Sequence, residues 1–155
     1  MKQVVPLEIG ICTPDIDRLL PFYTKLLGCE PVGDVSVPTD KAKAAGLSTA
    51  GYRVVRLQTP YGERIKLLQP QTPAEAPTIS AFVLDRYGMA YMTFIVSDLD
   101  AVVKKLKKAE INILSGEDKV EVRPGTFLVF CEDPDGNVVE FVQYDDMKAY
   151  RLDVK

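Results

Sequence analysis

The sequence predicts an α+β protein built from two tandem βαβββ modules, and two internal matches with the alternation inside them carry that prediction. Pro60-Tyr-Gly-Glu-Arg-Ile-Lys-Leu-Leu-Gln69 aligns without gaps on Pro134-Asp-Gly-Asn-Val-Val-Glu-Phe-Val-Gln143, so proline, glycine and glutamine recur in step. Leu7-Glu-Ile-Gly-Ile11, followed by Asp15, matches Ala90-Tyr-Met-Thr-Phe94, followed by Asp98. Each half therefore opens with an alternating strand that runs into an acidic helix start.

The helix after Pro14 and Asp15 places Ile16, Leu19, Leu20, Tyr23, Leu26 and Leu27 at helical spacing, and Gly28 closes it as a C-cap. Residues 37–50, rich in alanine and lysine, interrupt the first half as a functional loop or short helix over a cavity mouth, or as a dimer contact. Strands from Gly51 to Thr59 and from Glu63 to Leu68 follow, joined by a turn at Pro60-Tyr61-Gly62. A linker, residues 71–87, begins as a loop through Pro73 and Pro77 and continues as a short helix carrying Ile79, Phe82 and Val83. The second module repeats the plan. Its helix after Asp98 carries Leu99, Val102, Val103 and Leu106, with lysines near the end where the helix dipole favours cations. Strands from Thr126 to Glu132 and from Asn137 to Tyr144 flank the turn at Pro134-Asp135-Gly136. The chain, residues 1–155, is thus one domain of module 1 (1–70), linker (71–87), module 2 (88–144) and a polar tail (145–155) that packs loosely or at a subunit contact.

A helix on one face of a sheet sorts the strand residues by parity. Leu7, Ile9 and Ile11 point to the helix, and Glu8, Gly10 and Cys12 point away. Ile65 and Leu67 point in, and Arg64, Lys66 and Leu68 point out. Val55 and Leu57 point in, which sends Tyr52, Val54, Arg56 and Gln58 to the other side. In the second half Tyr91, Thr93 and Ile95 oppose Met92, Phe94 and Val96, while Glu140 opposes Val139 and Phe141. The polar members gather on one concave surface, with Tyr52, Arg56, Gln58 and Thr93 as candidate substrate contacts. Arg56 is either a fork for a carboxylate or phosphate, or a partner for Glu8, or half of a surface ion pair.

Composition removes several function classes. The chain is 46% hydrophobic and 26% charged with a formal charge of −3, as in an ordinary globular protein. No basic stripe with interleaved aromatics is present, which argues against nucleic acid. No apolar stretch approaches the roughly 20 residues that span a bilayer, and Met1-Lys2-Gln3 leads into a strand rather than a secretory signal. A cytoplasmic protein without membrane contact is expected. Cys12, Cys29 and Cys131 sit singly in apolar segments, as reduced buried thiols do. Histidine is absent, which removes Ser-His-Asp and Cys-His catalysis and the commonest metal ligand.

Five stretches in order, Leu7-Glu-Ile-Gly-Ile-Cys-Thr-Pro-Asp15, Pro21-Phe-Tyr-Thr-Lys-Leu-Leu-Gly28, Ile65-Lys-Leu-Leu-Gln-Pro70, Gly88-Met-Ala-Tyr-Met-Thr-Phe94 and Glu132-Asp-Pro-Asp-Gly-Asn-Val-Val-Glu-Phe141, resemble the vicinal oxygen chelate superfamily. That group holds glyoxalase I, methylmalonyl-CoA epimerase, extradiol dioxygenases, fosfomycin resistance enzymes and bleomycin-binding proteins, and the layout is similar to the epimerase-like members. The resemblance implies a U-shaped concave mixed sheet, a small organic substrate or ligand, and a homodimer. It also implies four metal-ligand positions, which fall here on Glu8, Lys66, Tyr91 and Glu140. Only Glu140 matches the common pattern, because a protonated phenol is a poor ligand and an ammonium repels a cation.

Three readings of Glu8, Lys66, Tyr91 and Glu140 stay open at this point. In the first, Lys66 bridges the two carboxylates and the protein is a non-catalytic small-molecule binder, such as an antibiotic or metabolite resistance protein. In the second, they catalyse isomerisation, epimerisation or a lyase reaction next to a carbonyl without metal or other cofactor. Glu8 or Glu140 then removes the proton and Tyr91 or Lys66 stabilises the oxyanion. The third keeps a weakly bound divalent metal on Glu8 and Glu140 in a lyase or dioxygenase-like enzyme.

Overall fold

The computed structural model describes residues 3–76, 82–85 and 88–151. The chain divides into two compact units, residues 1–78 and 79–155. The first holds β1 (Glu8–Cys12), α1 (Ile16–Pro21), β2 (Glu30–Val37), α2 (Thr39–Ala44), β3 (Tyr52–Gln58) and β4 (Arg64–Pro70). The second holds β5 (Met92–Ile95), α3 (Leu99–Lys108), β6 (Val120–Arg123), β7 (Thr126–Glu132), β8 (Val138–Tyr144) and α4 (Met147–Tyr150). Each is a four-stranded mixed sheet of the same topology, β1-β4-β3-β2 and β5-β8-β7-β6. The first strand of each unit pairs parallel to the last, and the other neighbours are antiparallel. The tandem βαβββ plan holds.

The repeated glutamines and aspartates turn out to be helix anchors. Helix starts leave backbone N–H groups without partners. The Asp15 carboxylate accepts from the Asp17 and Arg18 N–H groups at 3.0 and 3.2 Å, and Gln69, reaching from β4, accepts from the Ile16 N–H at 3.1 Å. In the second unit Asp98 accepts from the Ala101 N–H at 2.9 Å, and Gln143, from β8, accepts from the Leu99 N–H at 2.7 Å. Each glutamine thus ties the start of its helix to the last strand of its sheet. The hairpins repeat as closely: Gly62 donates to the Thr59 carbonyl and Gly136 to the Asp133 carbonyl, both at 3.0 Å. Both glycines take positive φ, 96° and 83°, which explains why the turns carry them.

The expected single helix from Ile16 to Leu27 needs correction. The α-helix ends at Pro21, and residues Phe22–Leu26 continue as a wider π turn. Pro21 has no N–H to donate one turn back, and the ladder resumes one residue wider, the Leu27 N–H donating to the Phe22 carbonyl at 3.1 Å. The apolar face survives, since Ile16, Leu19, Phe22 and Tyr23 are all buried. They lie against β4 of the first sheet, whose Ile65 and Leu67 are buried with them. In the second unit Leu99, Val103 and Leu106 cover Val129, Cys131, Val139 and Phe141. Each such apolar side chain contributes roughly 1.5–3 kcal/mol when fully buried.

The interruption at residues 37–50 contains α2, pinned by the fully buried Ala42. Of the helix expected in the linker, a single turn at Val83–Asp85 is described, and Ile79 lies outside the described residues. The tail is not loose at its start. Asp146 caps α4 by accepting from the Ala149 N–H at 2.9 Å, and the Tyr150 ring stacks on Tyr144 with centroids 3.8 Å apart. Cys29 and Cys131 are buried as expected, whereas Cys12 is exposed, because the parity of β1 turns it away from the helix. Among the described residues no helix is long and apolar enough to cross a membrane.

Candidate functional site

Register decides which side chains share the face of each sheet that the helix leaves open. In the first unit Glu8 lies opposite Arg64, Gly10 opposite Lys66, Arg56 opposite Lys66, and Gln58 opposite Arg64. Residues in register point to the same side. Glu8, Arg64, Lys66, Gln58 and Arg56 therefore share one face, with Tyr52 farther along β3, opposite Pro70 and Val37. Lys66 Nζ is 3.3 Å from Glu8 Oε2, and Arg64 Nη1 is 3.5 Å from Glu8 Oε1. Arg64 Nε also donates to Gln58 Oε1 at 3.0 Å. The candidates Glu8, Lys66 and Gln58 are brought together. Arg64, which joins them, was absent from the candidates although strand parity had already turned it to this face.

The two other arginines of this sheet differ. Arg53, on β3 but facing the helix, bonds Asp34 at 2.8 Å and Asp17 at 2.9 Å. The hydrogen bond from Arg53 holds the Asp34 carboxyl below its usual range. Arg56 is half-buried on the open face, and among the described residues its guanidinium has no hydrogen bond or ion pair. Glu8 is taken by Lys66 and Arg64, so the alternative in which Arg56 partners Glu8 is not realised.

In the second unit Glu140 is 8% exposed and lies opposite Thr93 on one side and Phe130 on the other. Thr93 Oγ1 donates to Glu140 Oε2 at 2.5 Å. Tyr91 stands just before β5, its ring edge-on to Phe130 with centroids 5.0 Å apart and planes at 74°. Tyr91, Thr93 and Glu140 thus share the open face, and it is Thr93 that bonds the carboxylate. Phe130 escaped the sequence reading, although the alternation of Thr126 to Glu132 carried the signal. Four residues beyond Glu140, the Tyr144 phenol is pushed up to about 12, by burial first and then by its hydrogen bond with Tyr150. The Arg123 guanidinium lies 5.8 Å over the Tyr150 ring.

These donors do not suit a divalent cation. Lys66 sets an ammonium beside Glu8, Tyr91 offers a phenol, and the chain has no histidine. Among the described residues no three His, Cys, Asp or Glu side chains gather closely enough to hold a metal ion. A groove of about 500 Å³ lies elsewhere, lined by Asp100, Val103, Lys104, Lys107, Asp118 and Lys119 on the outer side of α3. Its charges are largely spent on each other, Lys119 with Asp100 at 2.7 Å and Lys107 with Asp118 at 3.8 Å.

The sequence matches the family model described as Glyoxalase/Bleomycin resistance protein/Dioxygenase superfamily over residues 5–141. None of the curated proteins matches it. Among solved structures, a glyoxalase family protein from Bacillus cereus is similar at 20% identity and a TM-score of 0.75, covering 93% of this chain and 96% of its own. A trypanothione-dependent glyoxalase I from Leishmania major is similar at 24% identity and a TM-score of 0.68, covering 97% and 94%. A glyoxalase/bleomycin resistance protein/dioxygenase domain from Frankia is similar at 16% identity and a TM-score of 0.65, covering 95% of each chain. At these identities the likeness is one of fold.

Proposed function

Because this chain belongs to the Glyoxalase/Bleomycin resistance protein/Dioxygenase superfamily, we propose that it is a small-molecule enzyme of isomerase, epimerase or lyase type that moves a proton next to a carbonyl without a divalent metal. The observation that carries this reading is the Thr93–Glu140 pair. Glu140 is a buried carboxylate whose partner is a hydroxyl, whereas the Glu8 carboxylate already faces two cations. Glu140 is therefore the proton acceptor. Thr93 holds one of its oxygens in place, and the Tyr91 phenol, on the same face, donates a hydrogen bond to the oxygen that gains charge as the C–H electron pair moves into the carbonyl. Returning the proton to the other face of the carbanion gives the epimer, and returning it to another atom gives the isomer. Loss of a group from the neighbouring carbon gives the lyase product. In this reading the polarisation falls to protein donors, since among the described residues no three His, Cys, Asp or Glu side chains gather to hold a metal ion.

A second reading, sequestration of a small apolar ligand, has its own support. Tyr91, Phe130 and Ile95 line the same open face with apolar surface. One experiment separates the two. The purified protein is incubated in D2O with a panel of small carbonyl compounds, and loss of the α-proton signal is followed by NMR. Glu140→Gln is expected to slow exchange by about a hundredfold or more, and Tyr91→Phe by about tenfold. Exchange at the wild-type rate in Glu140→Gln would remove the proton-transfer reading. Binding with no exchange in any variant would favour sequestration. A cytoplasmic homodimer belongs to the same proposal, and light scattering measures its mass.

A further inference from the structure

We propose an oxyanion-binding site on the open face of the first unit, centred on Arg56, that takes a small carboxylate or a phosphate group. It stands on this unit alone and goes beyond the proton-transfer reading, which rests on Glu140. Three cations from adjacent strands, Arg56, Arg64 and Lys66, meet two carboxylates on that face, Glu8 and, at the edge opposite Gln58, Glu30. Glu8 is engaged by Lys66 at 3.3 Å and by Arg64 at 3.5 Å. Arg64 is further committed to Gln58. The face thus carries one positive charge in excess, and among the described residues Arg56 is the cation on it with neither a hydrogen bond nor an ion pair.

A guanidinium presents five N–H donors in a planar fork, and withdrawing it from water without acceptors is costly. Arg56 is half-buried, yet among the described residues it has neither a hydrogen bond nor an ion pair. Arg53, three residues earlier on the same strand, shows what a structural arginine does here, with two aspartates within 2.9 Å. Gly33 faces Arg56 across an irregularity in β2, and a Cβ added at Gly33 would stand in ordinary contact with Arg56 Nη1, 3.6 Å away. A two-oxygen acceptor satisfies such a fork through paired N–H···O bonds, and a single negative charge balances the face.

The test uses the isotope-labelled full chain, titrated separately with inorganic phosphate and with propionate at constant ionic strength. The arginine Nε–H signals and the Gly33 and Lys66 amides are followed by NMR. Saturable shifts centred on Arg56 are expected with at least one of the two ions. Arg56→Gln should weaken binding by about tenfold or more, Arg56→Lys by less because it keeps the charge and loses the fork, and Lys104→Gln should leave it unchanged. Saturation by phosphate alone assigns a phosphate group, by propionate alone a carboxylate, and by both a general oxyanion site. Shifts that never saturate, or that Arg56→Gln leaves intact, overturn the proposal. Glu140→Gln should bind either ion as the wild type does, so loss of the anion site and loss of the proton-transfer reading are told apart.

Discussion

Thr93 and Glu140 form a contact whose cost of removal follows from burial. The carboxylate is 8% exposed, and the hydroxyl bonds it at 2.5 Å. Deleting a donor to a buried charged group leaves that group underbonded. Thr93→Val should therefore lower unfolding stability by about 1–3 kcal/mol in a urea titration, while Thr93→Ser stays close to wild type. The Glu8 cluster differs, because about a third of each of its side chains is open to solvent. Lys66→Met should change stability by no more than about 1 kcal/mol, since Arg64 remains beside Glu8 and exposed pairs contribute little. Cys131 predicts a pH dependence. Burial, with Asp133 and Glu132 adding to it, pushes its thiol from an ordinary 9.0 up to about 12. Between those values the unfolded chain has released the proton and the folded chain keeps it, so stability is intact below about pH 9 and falls as pH rises toward 12. Denaturant titrations from pH 8 upward should show this fall, and Cys131→Ala should make it shallower, the raised Tyr144 phenol supplying part of what remains. Equal slopes in both proteins would acquit the thiol.

Elements are held at their ends more than by propensity. The helix α1 has six residues, too short to persist alone, and its first N–H is fixed by a glutamine from the sheet. Gln69→Ala and Gln143→Ala should each cost about 1 kcal/mol by thermal or urea unfolding, and the double variant should be additive because the two sites share no partner. If both changes were silent, the recurring glutamine would need another explanation. The repeat displayed these residues in step, but only the hydrogen bonds show that they anchor helices rather than line a site. The π turn at Phe22–Leu26 was illegible for a related reason. Its apolar spacing is compatible with a straight helix, and the wider ladder follows from what Pro21 cannot donate.

For the whole molecule, the donor inventory leads to a measurable outcome. With no histidine in the chain and Lys66 beside Glu8, the protein should retain much less than one equivalent of zinc, nickel, manganese, iron or magnesium after incubation and removal of free ions. Elemental analysis beside an EDTA-treated control measures it. Near-stoichiometric retention that disappears in Glu8→Gln or Glu140→Gln would restore a chelate mechanism and overturn the metal-free reading.

The sequence by itself determined the tandem plan, because a repeat with period-2 strands and helical apolar spacing admits few other arrangements. It also placed Glu8, Lys66 and Glu140 on open faces, since parity along a strand is local information. Tertiary structure decided the partners. Cross-strand register set Arg64 against Glu8 and Thr93 against Glu140, and left Arg56 without a hydrogen bond or ion pair among the described residues. Register depends on how separate strands dock, and a distance between side chains far apart in the chain is not written into the spacing of either.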